Sequence, residues 1–379
     1  MTDSSHIRVI SDGPDYFAAL QQIISEARRV LHVQYYIFAG DQTGNLIFTA
    51  LEKAAYRGVN VYVVVDAFGS SDFQRKFGHR AAAAGIHFRE FGRWRFGKRW
   101  QSGRRLHHKV VVADHEILLV GGINVADKYM GLGAAPWLDY AVLVKGGIAQ
   151  DAHAFCEALF AKKHLTLRRM KGDNWLVANP RAEVRIRRND WLWGRSEISR
   201  SYLEAVTMAR HNVYIIASYF LPGRKIKKRI QDAAARGADV RFLMASESDI
   251  PFMKGASRYL YRWMFKYGIR VYEYQPGMVH GKVAMADDYW LTIGSYNLNN
   301  LSDLGSLELN VEMQSQQLAL DWKDHFLDLL EHRSVEIRLS TKTRFRWVTM
   351  AFDWFSYQVM KGAERFLLRL TGRKENSAS

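Results

Sequence analysis

Residues 106–114 read Leu-His-His-Lys-Val-Val-Val-Ala-Asp, and after six further residues the chain reads Gly-Gly-Ile-Asn at 121–124. The same arrangement returns at 279–287 as Val-His-Gly-Lys-Val-Ala-Met-Ala-Asp, followed after six residues by Gly-Ser-Tyr-Asn at 294–297. Both copies share the pattern His-x-Lys-x4-Asp, then six residues, then Gly-(Gly/Ser)-x-Asn. Two patterns of this length with identical internal spacing are not plausibly chance. They indicate that the chain contains an internal duplication.

The elements in front of the two motifs also repeat. In each half a helical pattern precedes a strand, at 30–38 in the first half and 213–220 in the second. A second helix then ends at an Arg-Gly pair, and a continuous apolar strand follows, at 61–66 and 240–244. Helices that alternate with apolar strands predict α/β units with parallel or mixed sheets.

The duplication divides the chain into two predicted lobes, 1–165 and 183–340, with a polar, charged linker at 166–182 between them. Residues 341–379 lie outside the repeat and are predicted to form a basic, aromatic helix and a tail. A chain of 379 residues is long enough for two domains. Its 48% apolar and 24% charged residues are typical of a globular protein.

The charge of the chain narrows the class of partner. Its 54 Lys and Arg residues outnumber 38 Asp and Glu residues, for a formal net charge of +16. This favours an anionic partner, either nucleic acid or a membrane with acidic lipids, and charge alone does not choose between them. The first residues lack a signal-peptide pattern, and no apolar run reaches the ~18 residues of a membrane-spanning helix. The single cysteine, Cys156, excludes an intramolecular disulfide and is predicted to lie in the core.

The spacing within each motif fixes which side chains share a face. Because side chains alternate along a strand, His107 and Lys109 point to one face, and His280 and Lys282 do the same in the second copy. His108 points away, and glycine replaces it in the second copy, so we predict no catalytic role for it. Two imidazoles and two ammonium groups form a cationic surface rich in hydrogen-bond donors, which suits a phosphoryl group.

The same alternation sends Asp114 and Asp287 to the opposite face of each strand, which predicts structural anchors rather than catalytic acids. Asn124 and Asn297 are expected to donate hydrogen bonds to non-bridging phosphate oxygens, whose charge the lysines neutralise. One imidazole can attack phosphorus, and the other can protonate the departing alkoxide. Since lysines supply the positive charge and no carboxylate cluster lies near the motifs, we predict that no metal or other cofactor is required.

On these residues the sequence resembles the phospholipase D superfamily, which is defined by paired His-x-Lys-x4-Asp motifs. More narrowly it resembles the bacterial cardiolipin synthases, particularly the short form without N-terminal transmembrane helices. The resemblance runs over nearly the whole chain and includes the segments at 36–44, 57–59, 294–298 and 306–312. It implies an α/β fold of two α/β/α sandwich lobes related by a pseudo-twofold axis, with a single active site between them. It also implies a covalent phosphohistidine intermediate.

The resemblance also assigns roles. It implies His107 as the nucleophile and His280 as the general acid and base. An acidic residue is expected after each motif asparagine, and Asp139 and Glu312 both stand at an offset of 15 residues; each is expected to orient a catalytic histidine. Ser295 is expected to join the two asparagines in binding phosphate, although the first motif has glycine in its place. The candidate catalytic set is His107, Lys109, Asp114, His280, Lys282 and Asp287.

The substrate is predicted from the resemblance and from two segments, 93–105 and 343–370, that interleave basic and aromatic residues. We predict transfer of a phosphatidyl group from one phosphatidylglycerol to another with release of glycerol. The 343–370 helix is expected to bind the anionic, cytoplasmic side of the bacterial cell membrane peripherally, or else to pack on the second lobe. The alternatives are a phospholipase D-type hydrolase or a nuclease of the same superfamily. Nucleic acid is the less favoured partner, and the donor lipid and the oligomeric state stay open.

Overall fold

Two β-sheets form the frame of the protein, and each contains one copy of the repeated motif. They are seen in a computed structural model that describes residues 7–93, 104–162, 184–190, 195–338 and 346–370. The predicted linker at 166–182, most of the basic segment at 93–105 and the end of the predicted tail lie outside the described residues.

The first half of the chain folds into the first lobe. In chain order its elements are β1 (Ile7–Ile10), α1 (Gly13–Glu26), β2 (Val30–Tyr35), α2 (Gln42–Tyr56), β3 (Asn60–Asp66), α3 (Phe73–Ala83), β4 (His87–Phe91), β5 (Arg105–Leu106), β6 (Lys109–Ala113), β7 (Ile117–Gly121), α4 (Asp127–Met130), β8 (Ala141–Lys145) and α5 (Ile148–Ala161). One sheet has the strand order β1-β8-β7-β6-β2-β3-β4. β2, β3 and β4 run parallel, and every other pair in this sheet is antiparallel. The motif strand β6 is therefore central.

The second half repeats this plan. Its elements are β9 (Val184–Asp190), β10 (Arg195–Ser196), α6 (Glu197–Met208), β11 (Asn212–Ala217), α7 (Arg224–Ala235), β12 (Asp239–Ala245), α8 (Met253–Lys266), β13 (Arg270–Tyr274), β14 (Lys282–Ala286), β15 (Trp290–Gly294), α9 (Asn300–Leu304), β16 (Ser306–Gln314), α10 (Gln316–His332), β17 (Ser334–Ile337) and α11 (Arg346–Leu370). The sheet has the order β10-β9-β16-β15-β14-β11-β12-β13-β17, and β5 of the first lobe pairs with β16. The run β16-β15-β14-β11-β12-β13 matches β8-β7-β6-β2-β3-β4 in order and direction. The predicted duplication of an α/β unit is confirmed.

The two sheets face each other across a shared core. Val110 and Val112 of β6 and Val283 and Met285 of β14 belong to one buried cluster, which also contains Cys156 as predicted. The alternate side chains of both motif strands face outer cores, which are covered by α1, α2 and α3 in the first lobe and by α6 and α8 in the second. Each motif strand is thus buried on both faces, as its apolar run predicts, and the two lobes are joined through apolar contacts.

β2 and β11 are shorter than the strands predicted at 30–38 and 213–220. In the first lobe the chain leaves the sheet after β2 because its backbone turns toward the loop that follows β7. There the Ile37 N–H donates to Asn124 Oδ1 at 3.0 Å. A polar side chain in a distant loop thus ends the strand, which local propensity does not reveal.

Asp114 and Asp287 anchor the backbone at the ends of the motif strands. Each adopts a left-handed conformation with a φ of 52°. Asp114 accepts backbone N–H groups of residues 28–30 at 2.8, 2.7 and 3.0 Å. Asp287 accepts those of residues 210–212 at 2.8, 2.7 and 3.2 Å. The anchoring role predicted from strand alternation is confirmed, and the inclusion of the two aspartates in the catalytic set is wrong because their carboxylates are used in these turns.

The C-terminal helix α11 packs against α8 on the outer side of the second lobe. Gly255 allows close approach, since a Cβ there would lie 2.5 Å from Ser356 Oγ, and Arg258 pairs with Asp353 at 2.9 Å. The side chains of α11 that stay exposed form what we call the outer face of α11, and they are Trp347, Val348, Phe352, Trp354, Phe355, Phe366 and Leu367. At the edge of this face Phe352 and Phe355 also contact the ring of Phe252. Among the residues that the structure describes, no helix is long and apolar enough to cross a membrane.

Candidate active site

His107 lies between β5 and β6, where the first lobe meets the second. Its backbone N–H donates to Leu307 O at 3.0 Å. Its Nδ1 lies 2.9 Å from Glu308 Oε2 and 3.0 Å from Ser295 O. Both neighbours are acceptors, so Nδ1 carries the proton and the neutral ring keeps its lone pair on Nε2. Burial lowers the pKa of His107, against the opposing effect of Glu308, which favours this neutral form.

His280 is held in the reciprocal way by the first lobe. Its backbone N–H donates to Leu138 O at 2.8 Å. Its Nδ1 lies 2.6 Å from Asp139 Oδ2, and Lys282 Nζ lies 3.0 Å from Nδ1 and 3.4 Å from Nε2. Burial lowers the pKa of His280 well below its usual range, and burial raises that of Asp139 to about 7. The Asp139–His280 pair can therefore hold a proton near neutral pH.

Each histidine thus takes its carboxylate from the other half of the chain. His107 belongs to the first lobe and contacts Glu308 of β16, while His280 belongs to the second lobe and contacts Asp139 before β8. Sheet register makes the two acids equivalent. Gly121 pairs with Ala141 and Gly294 pairs with Asn310, and each acid stands two positions before the paired residue.

The expectation that Glu312 orients a histidine is therefore wrong. Glu312 instead accepts hydrogen bonds from Arg187 Nε at 3.0 Å and Ser201 Oγ at 2.5 Å. The expectation used the same offset of 15 residues in both halves, which assumed that the loops after the two asparagines are equally long. The loop in the second lobe is shorter by four residues, so the equivalent of Asp139 comes 11 residues after Asn297. The signal that was available is Glu308 itself, which with Glu312 is one of the two acids in β16.

The three residues expected to bind phosphate differ in what they can offer. Ser295 is buried, donates its hydroxyl to Glu308 Oε2 at 2.5 Å and accepts the Leu309 N–H. Its single hydroxyl proton is used there, so its expected role as a phosphate donor is wrong, and it supports Glu308 instead. The carboxamide oxygens of Asn124 and Asn297 accept hydrogen bonds from neighbouring loops. Asn124 Nδ2 also donates to the Tyr129 hydroxyl at 2.8 Å, so one of its two N–H groups is left to donate to a substrate.

Lys109 and Lys282 are almost completely buried beside the two histidines. Lys109 Nζ donates to His107 O at 2.8 Å, and Lys282 Nζ donates to His280 O. Burial lowers the pKa of Lys109 to about 7, with a further contribution from the charge of Lys282. Burial also lowers the pKa of Lys282 to about 8. Burying two ammonium groups costs free energy, and a phosphate bound between them would offset that cost.

We expect Lys109→Met to raise the free energy of unfolding at pH 6 while lowering turnover. The pKa of Lys109 is about 7 in the folded protein and about 10.4 when unfolded. Below the folded pKa both states hold the proton, and the buried charge acts at full strength. Above it the unfolded state binds more protons, so the wild-type protein becomes relatively more stable as pH rises. Denaturant unfolding should show the advantage of Lys109→Met shrinking from pH 7 to pH 10.

The exposed Lys53 of α2 provides the control for this experiment. Lys53→Met should leave the unfolding free energy within about 0.5 kcal/mol of wild type at every pH. A Lys109→Met protein that is less stable than wild type at pH 6 would contradict the expected cost of the buried charge.

Among the described residues, no group of three or more His, Cys, Asp or Glu side chains could hold a metal ion. The site that these residues form has two imidazoles, two ammonium groups and two carboxylates from two equivalent half-sites. Such a site, between duplicated sheets of this topology, defines a phospholipase D-like protein.

Comparison with known proteins gives the family. A family described as "Cardiolipin synthase, PLD-like domain" matches residues 20–137 and 202–330. Cardiolipin synthase B of Salmonella typhimurium is 32% identical over 371 residues, covering 95% of this chain and 88% of that protein. Cardiolipin synthase B of Escherichia coli K12 is 33% identical over 329 residues, covering 85% and 80%. The chain belongs to this cardiolipin synthase-type family, and it is a phosphatidyltransferase of the phospholipase D superfamily.

A solved structure agrees on the fold. The crystal structure of a phosphatidylserine synthase from Haemophilus influenzae superposes with a TM-score of 0.74, covering 97% of this chain and 96% of that one at 12% identity. The predicted fold of two phospholipase D-like lobes is confirmed.

Proposed function

We propose that the protein is a cardiolipin synthase that joins two phosphatidylglycerol molecules through a phosphohistidine. The observation that supports this proposal most strongly is the reciprocal pair His107–Glu308 and His280–Asp139, at 2.9 and 2.6 Å. Each carboxylate occupies Nδ1 and so turns Nε2 of its histidine toward the substrate. Two imidazoles prepared in this way suit a two-step transfer, in which one forms a bond to phosphorus and the other moves protons.

In the first step His107 Nε2 attacks the phosphorus of one phosphatidylglycerol. The bond from phosphorus to the headgroup oxygen breaks, and His280 gives its proton to the departing glycerol. In the second step a primary hydroxyl of another phosphatidylglycerol gives its proton to His280, and its oxygen attacks phosphorus. The phosphorus–nitrogen bond breaks, which restores His107 and yields cardiolipin. Lys109 and Lys282 stabilise the charge that develops on the non-bridging oxygens.

Purified protein incubated with phosphatidylglycerol vesicles and EDTA is expected to yield cardiolipin and glycerol in equal amounts. Lipid analysis and a glycerol assay on the same samples make the measurement. Phosphatidic acid without cardiolipin would indicate the hydrolase alternative, because water would then replace the second lipid. Inert lipid together with cleaved DNA would indicate the nuclease alternative, and a requirement for Mg²⁺ would contradict the role of the lysines.

We further propose that the outer face of α11 binds the anionic, cytoplasmic surface of the bacterial membrane peripherally. This face carries large exposed side chains such as Trp347, 71% exposed, and Phe366, 62% exposed. Arg365 lies among them and is also exposed. Aromatic side chains favour the headgroup region, and each basic residue near an anionic leaflet adds about 1 kcal/mol. The net charge of +16 acts in the same direction.

The inner side of α11 holds loops of the second lobe. Glu364 accepts the Asn300 N–H at 2.8 Å, and Lys361 Nζ donates to Leu221 O at 3.2 Å. Asn300 comes three residues after Asn297, the last residue of the second motif. Removal of the whole helix would therefore disturb the site as well as the membrane contact, and substitutions confined to the outer face are the better test.

A triple variant with Trp347, Trp354 and Phe366 changed to serine is expected to bind anionic vesicles at least about tenfold more weakly, because it loses buried apolar area. Its turnover on detergent-dispersed lipid should stay within about twofold of wild type. Vesicle sedimentation at several salt concentrations measures the binding, which should weaken with salt in both proteins. Tyr56→Ser, at a position 70% exposed on the first lobe, is the matched control. Unchanged binding of the triple variant would place the contact elsewhere.

A further inference from the structure

The two histidines differ in their surroundings. Three aromatic rings lie around His280, with centroid distances of 5.4 Å to Tyr129, 5.7 Å to Trp137 and 5.9 Å to Tyr219. In the described part of the chain, His107 has one ring contact of this kind, with Tyr36 at 5.0 Å. In the proposed mechanism His280 protonates the departing headgroup. The headgroup therefore lies on the aromatic side of the site.

Aromatic walls of this kind usually attract a ligand ammonium group through the negative faces of the rings. Here the protein's own ammonium occupies that place. Lys128 Nζ lies 3.8 Å from the ring centroid of Trp137 and 5.6 Å from that of Tyr129. Burial lowers the pKa of Lys128, and the carboxylate of Asp249 opposes the shift. The charge of Lys128 also acts on His280, which places it in the electrostatic field of the site.

The aromatic side of the site also offers a hydrogen-bond acceptor. Tyr219 donates its hydroxyl to Asp249 Oδ1 at 2.6 Å, and Asp249 is exposed. The carboxylate keeps further acceptor capacity, while Lys128 has only donors. A neutral polyol can accept from the lysine and donate to the aspartate at once. A headgroup ammonium would meet the like charge of Lys128 at the aromatic wall.

We propose that Lys128, Trp137, Tyr219 and Asp249 form a headgroup subsite beside His280 that selects phospholipids with a neutral polyol headgroup. Lys128 excludes headgroups that carry an ammonium, such as ethanolamine. The inference rests on the proposed function, and it names which phospholipids the site accepts. The Trp137 N–H donates to Lys128 O at 3.1 Å. This backbone hydrogen bond does not involve the Lys128 side chain, so a substitution at Lys128 can remove the charge and keep the loop.

The test uses vesicles with equal amounts of phosphatidylglycerol and phosphatidylethanolamine, each labelled in its headgroup. The initial rates of glycerol and ethanolamine release give a selectivity ratio for each variant. Lys128→Gln is expected to lower the ratio of glycerol to ethanolamine release about tenfold, the effect of one partly desolvated charge. Lys128→Arg keeps the charge and should keep the ratio within about twofold. A loss of packing alone would lower both rates together and leave the ratio unchanged.

Lys227→Gln is the matched control, since Lys227 Nζ also lies over an indole, 4.7 Å from the centroid of Trp263, outside the site. Lys128→Met removes the same charge with different packing. If only one of Lys128→Gln and Lys128→Met folds, that variant alone shows whether the charge sets the selectivity ratio. A wild-type ratio in a folded Lys128→Gln or Lys128→Met protein would overturn the inference. The wild-type protein tests the proposed function separately, through its release of glycerol and formation of cardiolipin from phosphatidylglycerol.

Discussion

Alanine at His107 or at His280 is expected to lower turnover of phosphatidylglycerol at least about 10⁴-fold, because a nucleophile and its proton-transfer partner act as a unit. The double variant should be little worse than either single one. Lipid turnover by folded protein, verified by its thermal unfolding profile, is the measurement. Near-wild-type activity of either variant would contradict a mechanism shared between the two lobes.

A substrate with an acidic leaving group separates the two roles. A p-nitrophenyl phosphodiester lipid does not need a proton donor to release p-nitrophenolate. His280→Ala should therefore still give a burst and accumulate a phosphatidyl group on His107, because the acceptor alcohol is no longer deprotonated. His107→Ala should give no burst. Mass spectrometry of the trapped protein locates the phosphatidyl group, and a label on His280 would reverse the assignment.

His108 provides the matched control for these experiments. It is adjacent to His107 but points away, and its Nδ1 lies 3.0 Å from Gln34 Oε1. Asparagine can place an amide nitrogen near the same acceptor. His108→Asn should therefore keep turnover within a few-fold of wild type.

Glu308→Gln is expected to lower turnover about 10⁴-fold, the cost of the corresponding carboxylate-to-amide change in a serine protease triad. A glutamine can turn its NH₂ group toward His107 Nδ1. The ring would then favour the tautomer with a proton on Nε2, the atom that must attack phosphorus. Asp139→Asn should act on His280 in the same way. The pH profile of turnover should change with the tautomer, whereas a purely structural loss would leave its shape unchanged.

Glu312→Gln discriminates between the two acids of β16. Glu312 is as buried as Glu308 but pairs with Arg187 and Ser201. Its substitution should lower the free energy of unfolding by about 1.5–3 kcal/mol, the range for hydrogen bonds to charged groups. Turnover per folded molecule should change only a few-fold. A folded Glu312→Gln protein as inactive as Glu308→Gln would contradict the assignment based on sheet register.

Much of the fold could be predicted from the sequence because the same side-chain alternation and the same order of helices and strands occur twice in the chain. Alternation in 106–114 and 279–287 places histidine and lysine together and the aspartates apart, and the helix–strand order gives the lobes. The carboxylate of His107 could not be found in this way. Counting from Asn297 assumes a loop length that only the pairing of β15 with β16 reveals. Ser295 was misjudged for a similar reason, since its proton acceptor belongs to that same strand.

The C-terminal helix shows a different limit of prediction. Its basic and aromatic composition fits both a membrane contact and a packed helix. In the structure one helix has both roles open to it, since Asp353 and Ser356 contact α8 while Trp354 and Phe355 stay exposed. Hydrophobic content alone cannot separate these faces, since the burial of each side chain depends on the partner helix.

The exchange of carboxylates between lobes also bears on synthesis of the chain. A ribosome completes His107 about 200 residues before it adds Glu308, and at about 5–20 residues per second this takes 10 s or more. During that interval His107 has no carboxylate at its Nδ1, the group that sets the tautomer of the attacking imidazole in the proposed mechanism. His280 has the opposite order, because it is made after its partner Asp139 and can be oriented only if the first lobe is already folded. We therefore expect reactivity toward phosphodiesters to begin only after Glu308 has been added, and N-terminal fragments released by interrupted translation before that point to be inert.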